Sequence, residues 1–254
     1  LTLLSPHIIG VPSQMISQRE AQDQVEAYLY LVNSDGKMPV FMSIRKEQLQ
    51  GWCEWSTQGN FKNLVNVNRQ VYCIVERTIN SSTVTNLELL DNTYHTDCAS
   101  KQTASATKNW TVAHLPNTEV VVKSGNYSMG TYTTNGSGQL TLTDAVTNVE
   151  IGLNFTPELT TLPPEFQLSD GISVGQKRRV VRAVLDLNET LDVKTKGTNI
   201  LIRRVTDDFS LEPTPITERK EVYLLGWGKE GTVTITQDQP LPLTINGLLL
   251  EVEV

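Results

Sequence analysis

Strict alternation of apolar and polar residues restricts the fold of this chain more than any other feature. Val149, Ile151, Leu153 and Phe155 alternate with Glu150, Gly152 and Asn154, and Leu248, Leu250, Val252 and Val254 are interleaved with Glu251 and Glu253. A period of two suits a strand with one buried and one wet face, whereas a helix would scatter these side chains around its circumference. The apolar set is expected to face in and the polar set out in both segments. The chain also holds 30 threonines among its 254 residues, and Thr with Val fits a pleated, half-buried surface better than a helix. The fold class read from this is all-β and antiparallel.

Turn chemistry divides the chain into strands. Asn33-Ser34-Asp35-Gly36 sits between Tyr28 to Val32 and Met38 to Ile44, and Asp-Gly between apolar runs predicts a β-hairpin. Trp52 and Trp55 mark a further strand, Phe61 to Val67 pairs with Gln70 to Arg77, and Asn80-Ser81-Ser82 turns the chain into Val84 to Leu90. Residues 1–97 thus read as a β-meander, in the pattern of propeller blades. The only helix predicted is a short one near residues 17–26, where Ser17-Gln18-Arg19-Glu20 has capping-box spacing.

Ser100 to Thr107 is small, polar and without period, so it reads as a linker. Residues 98–161 are expected to form a small β-domain with strands at Glu119 to Lys123, Tyr127 to Thr133, Gln139 to Thr143 and Val149 to Phe155. Leu162-Pro163-Pro164 cannot continue a central strand, because proline lacks the N–H that a ladder needs. Residues 162–254 then read as a β-sandwich or barrel with strands at Arg178 to Leu187, Thr198 to Val205, Glu221 to Leu225, Val233 to Gln237 and Leu248 to Val254.

The formal net charge is −7, from 21 basic and 28 acidic residues, which disfavours tight binding to DNA. Cys53, Cys73 and Cys98 are odd in number and lack zinc-ligand spacing, so they are expected to be buried free thiols. No metal, cofactor or catalytic residue is expected. Leu1-Thr2-Leu3-Leu4 runs directly into Ser5-Pro6 with no basic region, so no secretory leader is expected. No apolar run reaches the roughly 18 residues of a membrane span. Leu1 is not an initiator Met, and the sequence is expected to be the distal part of something larger.

Three motifs invite a chemical reading. Gly171-Ile172-Ser173-Val174-Gly175 fits G-x-S-x-G, but a strand rather than a helix follows, and His7, His95 and His114 all precede Ser173. Gly226-Trp227-Gly228-Lys229-Glu230-Gly231 fits G-x-G-x-x-G, but the strand-like Thr232 to Thr236 follows where a phosphate-binding helix is needed. Lys177-Arg178-Arg179 with Arg182, and Arg203-Arg204, could touch phosphates, yet on alternating strands such charges form solvated faces paired with acids such as Asp186, Asp207 and Asp208. No carboxylate pair is recommended by spacing for glycosidase chemistry. Six N-x-S/T sequons, at Asn80, Asn109, Asn126, Asn135, Asn154 and Asn188, are expected by chance in a chain so rich in Asn and Thr.

One longer pattern carries a resemblance. Ser34-Asp35-Gly36, Ser43-Ile44-Arg45-Lys46-Glu47-Gln48, Gly51-Trp52 through Trp55, Thr57-Gln58-Gly59-Asn60-Phe61 and Val71-Tyr72-Cys73-Ile74-Val75-Glu76-Arg77-Thr78-Ile79-Asn80 follow in order. This series resembles the tail tubular or nozzle proteins of short-tailed bacteriophages, in which such strands recur as propeller blades. His114-Leu115 to Val122 and Pro240-Leu241-Pro242-Leu243-Thr244-Ile245 to Val254 are similar to the family's downstream β-domains. Cys73 departs from the pattern, standing where an aromatic or aliphatic residue is expected.

The resemblance implies a structural virion component that is not an enzyme. It would form a homo-oligomeric ring, commonly a hexamer, in the virion tail, and meet other tail proteins such as an adaptor ring and fibres. Viral DNA would pass through it transiently during genome ejection and host entry, and the chain would be made in the bacterial host cytoplasm. An acidic wall suits such a passage, because it avoids the phosphate contacts that would brake DNA. Two other classes stay open at this point: a receptor- or glycan-binding tail module using the loops Ser124 to Asn126 and Asn135 to Gly138, and a tail-associated polysaccharide hydrolase.

Overall fold

The computed structural model describes residues 6–19, 25–168, 171–173 and 175–254. Among them the chain is all-β, with antiparallel pairing in every register observed and no α-helix. Its residues divide into two compact units, one of Leu1–Cys98, Asn109–Glu119 and Thr133–Thr141, the other of Ala99–Lys108, Val120–Tyr132 and Leu142–Val254.

The first unit begins with strands β1 (Pro12–Gln18), β2 (Ala27–Asn33), β3 (Met38–Ile44) and β4 (Leu49–Trp55), which pair consecutively into one sheet. A second meander follows, of β5 (Asn60–Val67), β6 (Gln70–Ile79) and β7 (Ser82–Leu89). The predicted hairpin is β2 and β3. Its turn closes through Gly36 N–H donating to Asn33 O at 3.0 Å, with Gly36 at φ 84°. A Cβ on Gly36 would lie 2.3 Å from the Asn60 side chain, so the turn can dock on the start of β5 only with glycine there. The two sheets share one core, in which Tyr30, Val32, Met38 and Val40 meet Phe61, Leu64, Val71, Cys73 and Val75. Cys73 is fully buried in this core and packs there as a small apolar side chain.

Alternation along β6 buries Val71, Cys73, Val75, Arg77 and Ile79 in turn, and so forces a guanidinium inside. Arg77, 1% exposed, is held by two carboxylates. Its Nε donates to Glu88 Oε1 at 2.7 Å and its Nη2 to Glu88 Oε2 at 2.6 Å, while Nη1 and Nη2 reach Asp97 at 3.0 and 2.9 Å. Nη1 also donates to Gln58 O, and the Thr57 hydroxyl donates to Asp97 Oδ2 at 2.6 Å. Burial pulls the Arg77 pKa down, but hydrogen bonds and charges from Glu88 and Asp97 outweigh it and leave the pKa raised. This knot joins β6 and β7 to residues 57–58 and to Asp97, where the next strand starts.

That strand, β8 (Asp97–Thr111), forms a sheet with β9 (Glu119–Ser124), β10 (Tyr127–Thr133) and β11 (Gln139–Leu153) in the order β10-β9-β11-β8. Two expectations fail here. Ser100 to Thr107 is not a linker but the middle of β8, an end strand of this sheet whose side chains are mostly exposed. Its backbone pairing, not an apolar face, makes it a strand. Likewise Gln139 to Thr143 and Val149 to Leu153 belong to one continuous strand, β11. Its last five residues are buried on both faces, Glu150 and Gly152 included, while Phe155 lies past the end of β11 and is exposed. Lys101 approaches Glu150 at 3.7 Å, and Lys123 faces it across the ladder with a pKa that burial lowers.

The remaining strands are β12 (Glu158–Thr160), β13 (Gln167–Leu168), β14 (Gly171–Ile172), β15 (Arg179–Leu187), β16 (Lys194–Thr195), β17 (Thr198–Asn199), β18 (Arg219–Tyr223), β19 (Thr234–Thr236) and β20 (Ile245–Glu253). The sheet β18-β15-β20 and the sheet β12-β19-β16-β17 bury one core, with Val180, Ala183, Leu185 and Leu187 of β15 against Val193, Ile202, Leu224, Val233 and Ile235. This is a sandwich and not a closed barrel. Leu248, Leu250 and Val252 pack against the core and Glu251 and Glu253 face water, as the alternation requires, whereas Val254 is exposed. The strand expected over Thr198 to Val205 stops at Asn199. The predicted helix is also corrected where it can be seen: Ser17 and Gln18 close β1, paired with Leu29 and Tyr28, and residues 20–24 lie outside the described residues.

All three cysteines are free, but only Cys73 is buried, with Cys98 half-buried and Cys53 exposed. Burial, aided by Glu88, pushes the Cys73 and Cys98 thiols up to about 12. A thiol raised that far stays protonated at pH 8, so a chromogenic disulfide reagent should modify Cys53 first and reach Cys73 and Cys98 only after denaturant is added. For the Arg77 knot, Arg77→Met should lower stability in urea unfolding by about 3–5 kcal/mol, because two carboxylates lose their counter-charge. Adding Glu88→Gln and Asp97→Asn to that variant should restore most of the loss.

Candidate functional site

The second unit contains the other fully buried arginine, Arg178, 2% exposed, just before β15. Its backbone forms a two-way bridge with Gly228, N–H to O at 2.8 Å and 2.9 Å in the reverse direction. Its guanidinium donates from Nη2 to Ser173 O at 2.7 Å and from Nη1 to Pro164 O. Its Nε is buried and has no partner among the described residues. Three sequence motifs therefore converge on one residue: the basic run supplies Arg178, the G-x-S-x-G segment supplies a carbonyl to its guanidinium, and the glycine loop bridges its backbone.

The loop from Leu224 to Val233 joins β18 to β19. Its ends are fixed by Leu224 N–H to Val181 O at 2.9 Å and by Val233 N–H to the Thr161 hydroxyl at 3.0 Å. At Gly231, φ 63°, an added Cβ would sit 2.8 Å from Arg178 Cγ and 2.9 Å from Cδ, so the arginine stem lies flat against a position only glycine can fill. As expected, this is a loop between strands and not a phosphate-binding turn before a helix.

Between this loop and Arg178 lies a shallow cleft of about 560 Å³. Trp227, 53% exposed, forms one side, with the Arg179 guanidinium 5.2 Å from its ring centroid. Arg179 is held in turn by Glu253, with Nε to Oε2 at 2.6 Å. Lys196 enters from the β16–β17 turn, where its N–H donates to Thr234 O at 2.9 Å. Lys229, Glu230, Thr232 and Thr234 complete the lining. Lys196 and Lys229 are exposed and have no ion-pair partner among the described residues.

Of the other basic residues, Lys177 is exposed and has no ion-pair partner among the described residues, whereas the arginines of this face are committed. Arg182 pairs with Glu251 at 2.9 Å and Glu221 at 3.2 Å, and Arg219 approaches Asp186 at 3.8 Å, so the face of β18-β15-β20 toward water is a ladder of opposite charges. A solvated, paired face was expected, but the partners of Arg179 and Arg182 are glutamates of β18 and β20. Ser173 is buried, and its hydroxyl accepts from Phe166 N–H at 3.0 Å. No group of three or more His, Cys, Asp or Glu is placed to hold a metal among the described residues, and no helix there is long and apolar enough to cross a membrane.

The loops first suggested for glycans are used internally. Asn126 N–H donates to Glu212 Oε1 at 2.6 Å and its amide to Pro213 O at 2.9 Å, and Asn135 Oδ1 accepts from Ser137 and Gln139 N–H, both at 2.9 Å. The Glu212 and Pro213 contacts fix one end of an arm between β17 and β18. The other end is anchored by Ile202 in the core. Within the arm Arg203 donates to Asp208 O at 2.7 Å and Leu211 O at 3.1 Å and lies 4.5 Å over Phe209, while Arg204 N–H donates to Asp207 at 2.7 Å. Leu201, Val205, Phe209 and Leu211 remain exposed on it, Val205 at 97%.

No protein-family model matches the chain, and no curated protein matches it in sequence. The Arg178–Gly231 contact has a direct test. Gly231→Ala should lower unfolding stability by about 1–3 kcal/mol, because backbone strain and a clash with the buried stem act together, whereas Gly228→Ala, with no positive φ and nothing within 4 Å of its added Cβ, should cost less.

Proposed function

We propose that this chain is a structural component of a short-tailed bacteriophage tail, assembling with copies of itself into a ring through which the genome leaves. The observation that carries the reading is the arm between β17 and β18. Four large apolar side chains are exposed there within eleven residues, on a segment tied down by Arg203, Asp208 and the Asn126 contacts. Covering a large apolar side chain is worth about 1.5–3 kcal/mol, so a pre-ordered apolar arm favours association. A head-to-tail contact between such an arm and a different surface of the next copy closes a ring when the rotation permits.

The residues that carry the resemblance support the same reading. They fall in order on the turn after β2, the end of β3, β4, β5 and β6, and the two meanders would serve as blades of a propeller. A chain charge of −7 repeated around a ring suits a passage that DNA must slide through. Adaptor-ring and fibre proteins of the tail are the further partners on this reading.

Light scattering behind a sizing column tests assembly. The purified chain should elute as a discrete multiple of 28.3 kDa, and Val205→Asp with Leu211→Asp should shift it to the monomer without lowering its melting temperature. A monomer at every concentration would overturn the proposal. The ring should also fail to retain DNA on a filter at low salt, and strong salt-sensitive retention would remove the conduit from the reading.

A further inference from the structure

We propose that the Trp227 cleft is a binding site for a carboxylate-bearing saccharide. The two buried arginines give the first reason. Arg77 has two carboxylates, but Arg178 is held by carbonyl oxygens and has no carboxylate within ion-pair distance among the described residues. Its positive charge is hydrogen-bonded but not neutralised by any described residue, and a buried charge without a counter-charge favours an anion in the adjacent space. Lys196 and Lys229 reach the same space from two different loops and are free of acidic partners among the described residues. The cleft therefore brings two exposed cations, Lys196 and Lys229, together beside the buried Arg178.

Trp227 specifies more than charge. A half-exposed indole backed by the Arg179–Glu253 pair is a rigid apolar platform, suited to the C–H face of a sugar ring. Gly226 and Gly228 would meet nothing within 4 Å of an added Cβ, so the floor beside the indole is open to a ring. Thr232 and Glu230 offer a hydroxyl and an acceptor for sugar hydroxyl groups, while the Thr234 hydroxyl is paired with that of Thr160 at 2.9 Å. The overall −7 opposes the many phosphate contacts that a long nucleic acid needs for affinity, whereas the cleft has room for one or two acidic sugar rings. The volume lies within the roughly 300–1,000 Å³ of small-ligand sites. This site does not depend on ring assembly, so either can fail without the other.

Titration calorimetry on the intact chain provides the test. The probes are trigalacturonate, a hyaluronan tetrasaccharide and a trimer of α2,8-linked sialic acid, against neutral trigalactose, a single-stranded DNA oligonucleotide and inorganic phosphate. At least one acidic saccharide should bind with Kd below about 1 mM, a free energy near −4 kcal/mol, and trigalactose should not. Lys229→Gln, an exposed change that leaves the melting temperature unaltered, should weaken that binding about fivefold, the upper end for an exposed charge contact. Trp227→Ala should abolish it and Trp227→Phe should retain part of it. The proposal is overturned if none of the three acidic saccharides binds, if trigalactose binds equally well, if the oligonucleotide or phosphate binds more tightly than every saccharide, or if Trp227→Ala leaves the affinity unchanged.

Discussion

A cation inside a β-sheet protein has to be surrounded by oxygen atoms, and that requirement organises both units. In the first, the alternation of β6 places Arg77 on the same face as Val71, Cys73 and Val75, so the chain must bring carboxylates to it. Glu88 comes from the neighbouring strand and Asp97 from the beginning of the next sheet. With Gln58 O as a further acceptor, the guanidinium has its donors satisfied by groups up to 20 residues away in sequence. A buried pair of this kind gains little net energy over an apolar replacement, but it penalises any arrangement in which one partner is missing. Its effect is on which strand follows which, more than on how stable the sheet is. In the second unit the carbonyls of Pro164 and Ser173 do the same for Arg178, without neutralising it.

The parts of the fold that could be read from the sequence are those in which local chemistry and burial agree. Asp35-Gly36 closes a hairpin because the turn needs a positive φ at residue 36, and the flanking apolar runs supply the strands. The end of the chain alternates visibly because β20 has one face on the core and one in water. Where burial and alternation part company, the sequence misleads. β11 ends inside, with neighbours on both sides, so Glu150 is buried despite its charge, with Lys101 and Lys123 facing it. β8 has the opposite character: its middle is exposed almost throughout, so no apolar period marks it, and Ser, Thr and Ala there look like a linker. Val205 misleads for a third reason, since an apolar residue in a plausible strand is in fact on the exposed arm.

The candidate cleft was legible only in fragments. Lys177-Arg178-Arg179, the segment around Ser173 and the glycine-rich 226–231 loop each fail the chemistry that their motif suggests, and each is rightly set aside when taken alone. What the sequence does not contain is the register that puts Arg178 opposite Gly228, since that bridge spans 50 residues and depends on how β15 pairs with β18 and on Leu224 returning to Val181. Gly231 was the available signal. A glycine followed by Thr-Val-Thr-Ile-Thr is more than a turn residue when an arginine stem must lie against it.

The net charge takes on a different meaning once the pairs are known. On β18-β15-β20 the arginines Arg179 and Arg182 and their glutamates cancel across neighbouring strands, so that face presents little field of its own at physiological ionic strength. Lys196 and Lys229, without ion-pair partners among the described residues, and the buried Arg178 then stand out locally against an acidic chain. An overall charge of −7 argues against a surface that grips a long polyanion over many phosphates. It does not oppose a single anionic group entering a cleft of molecular dimensions, because screening confines that interaction to groups within about a Debye length, roughly 8–10 Å. The two proposals, a passage that does not grip DNA and a cleft for one small acidic ligand beside Trp227, are therefore electrostatically compatible.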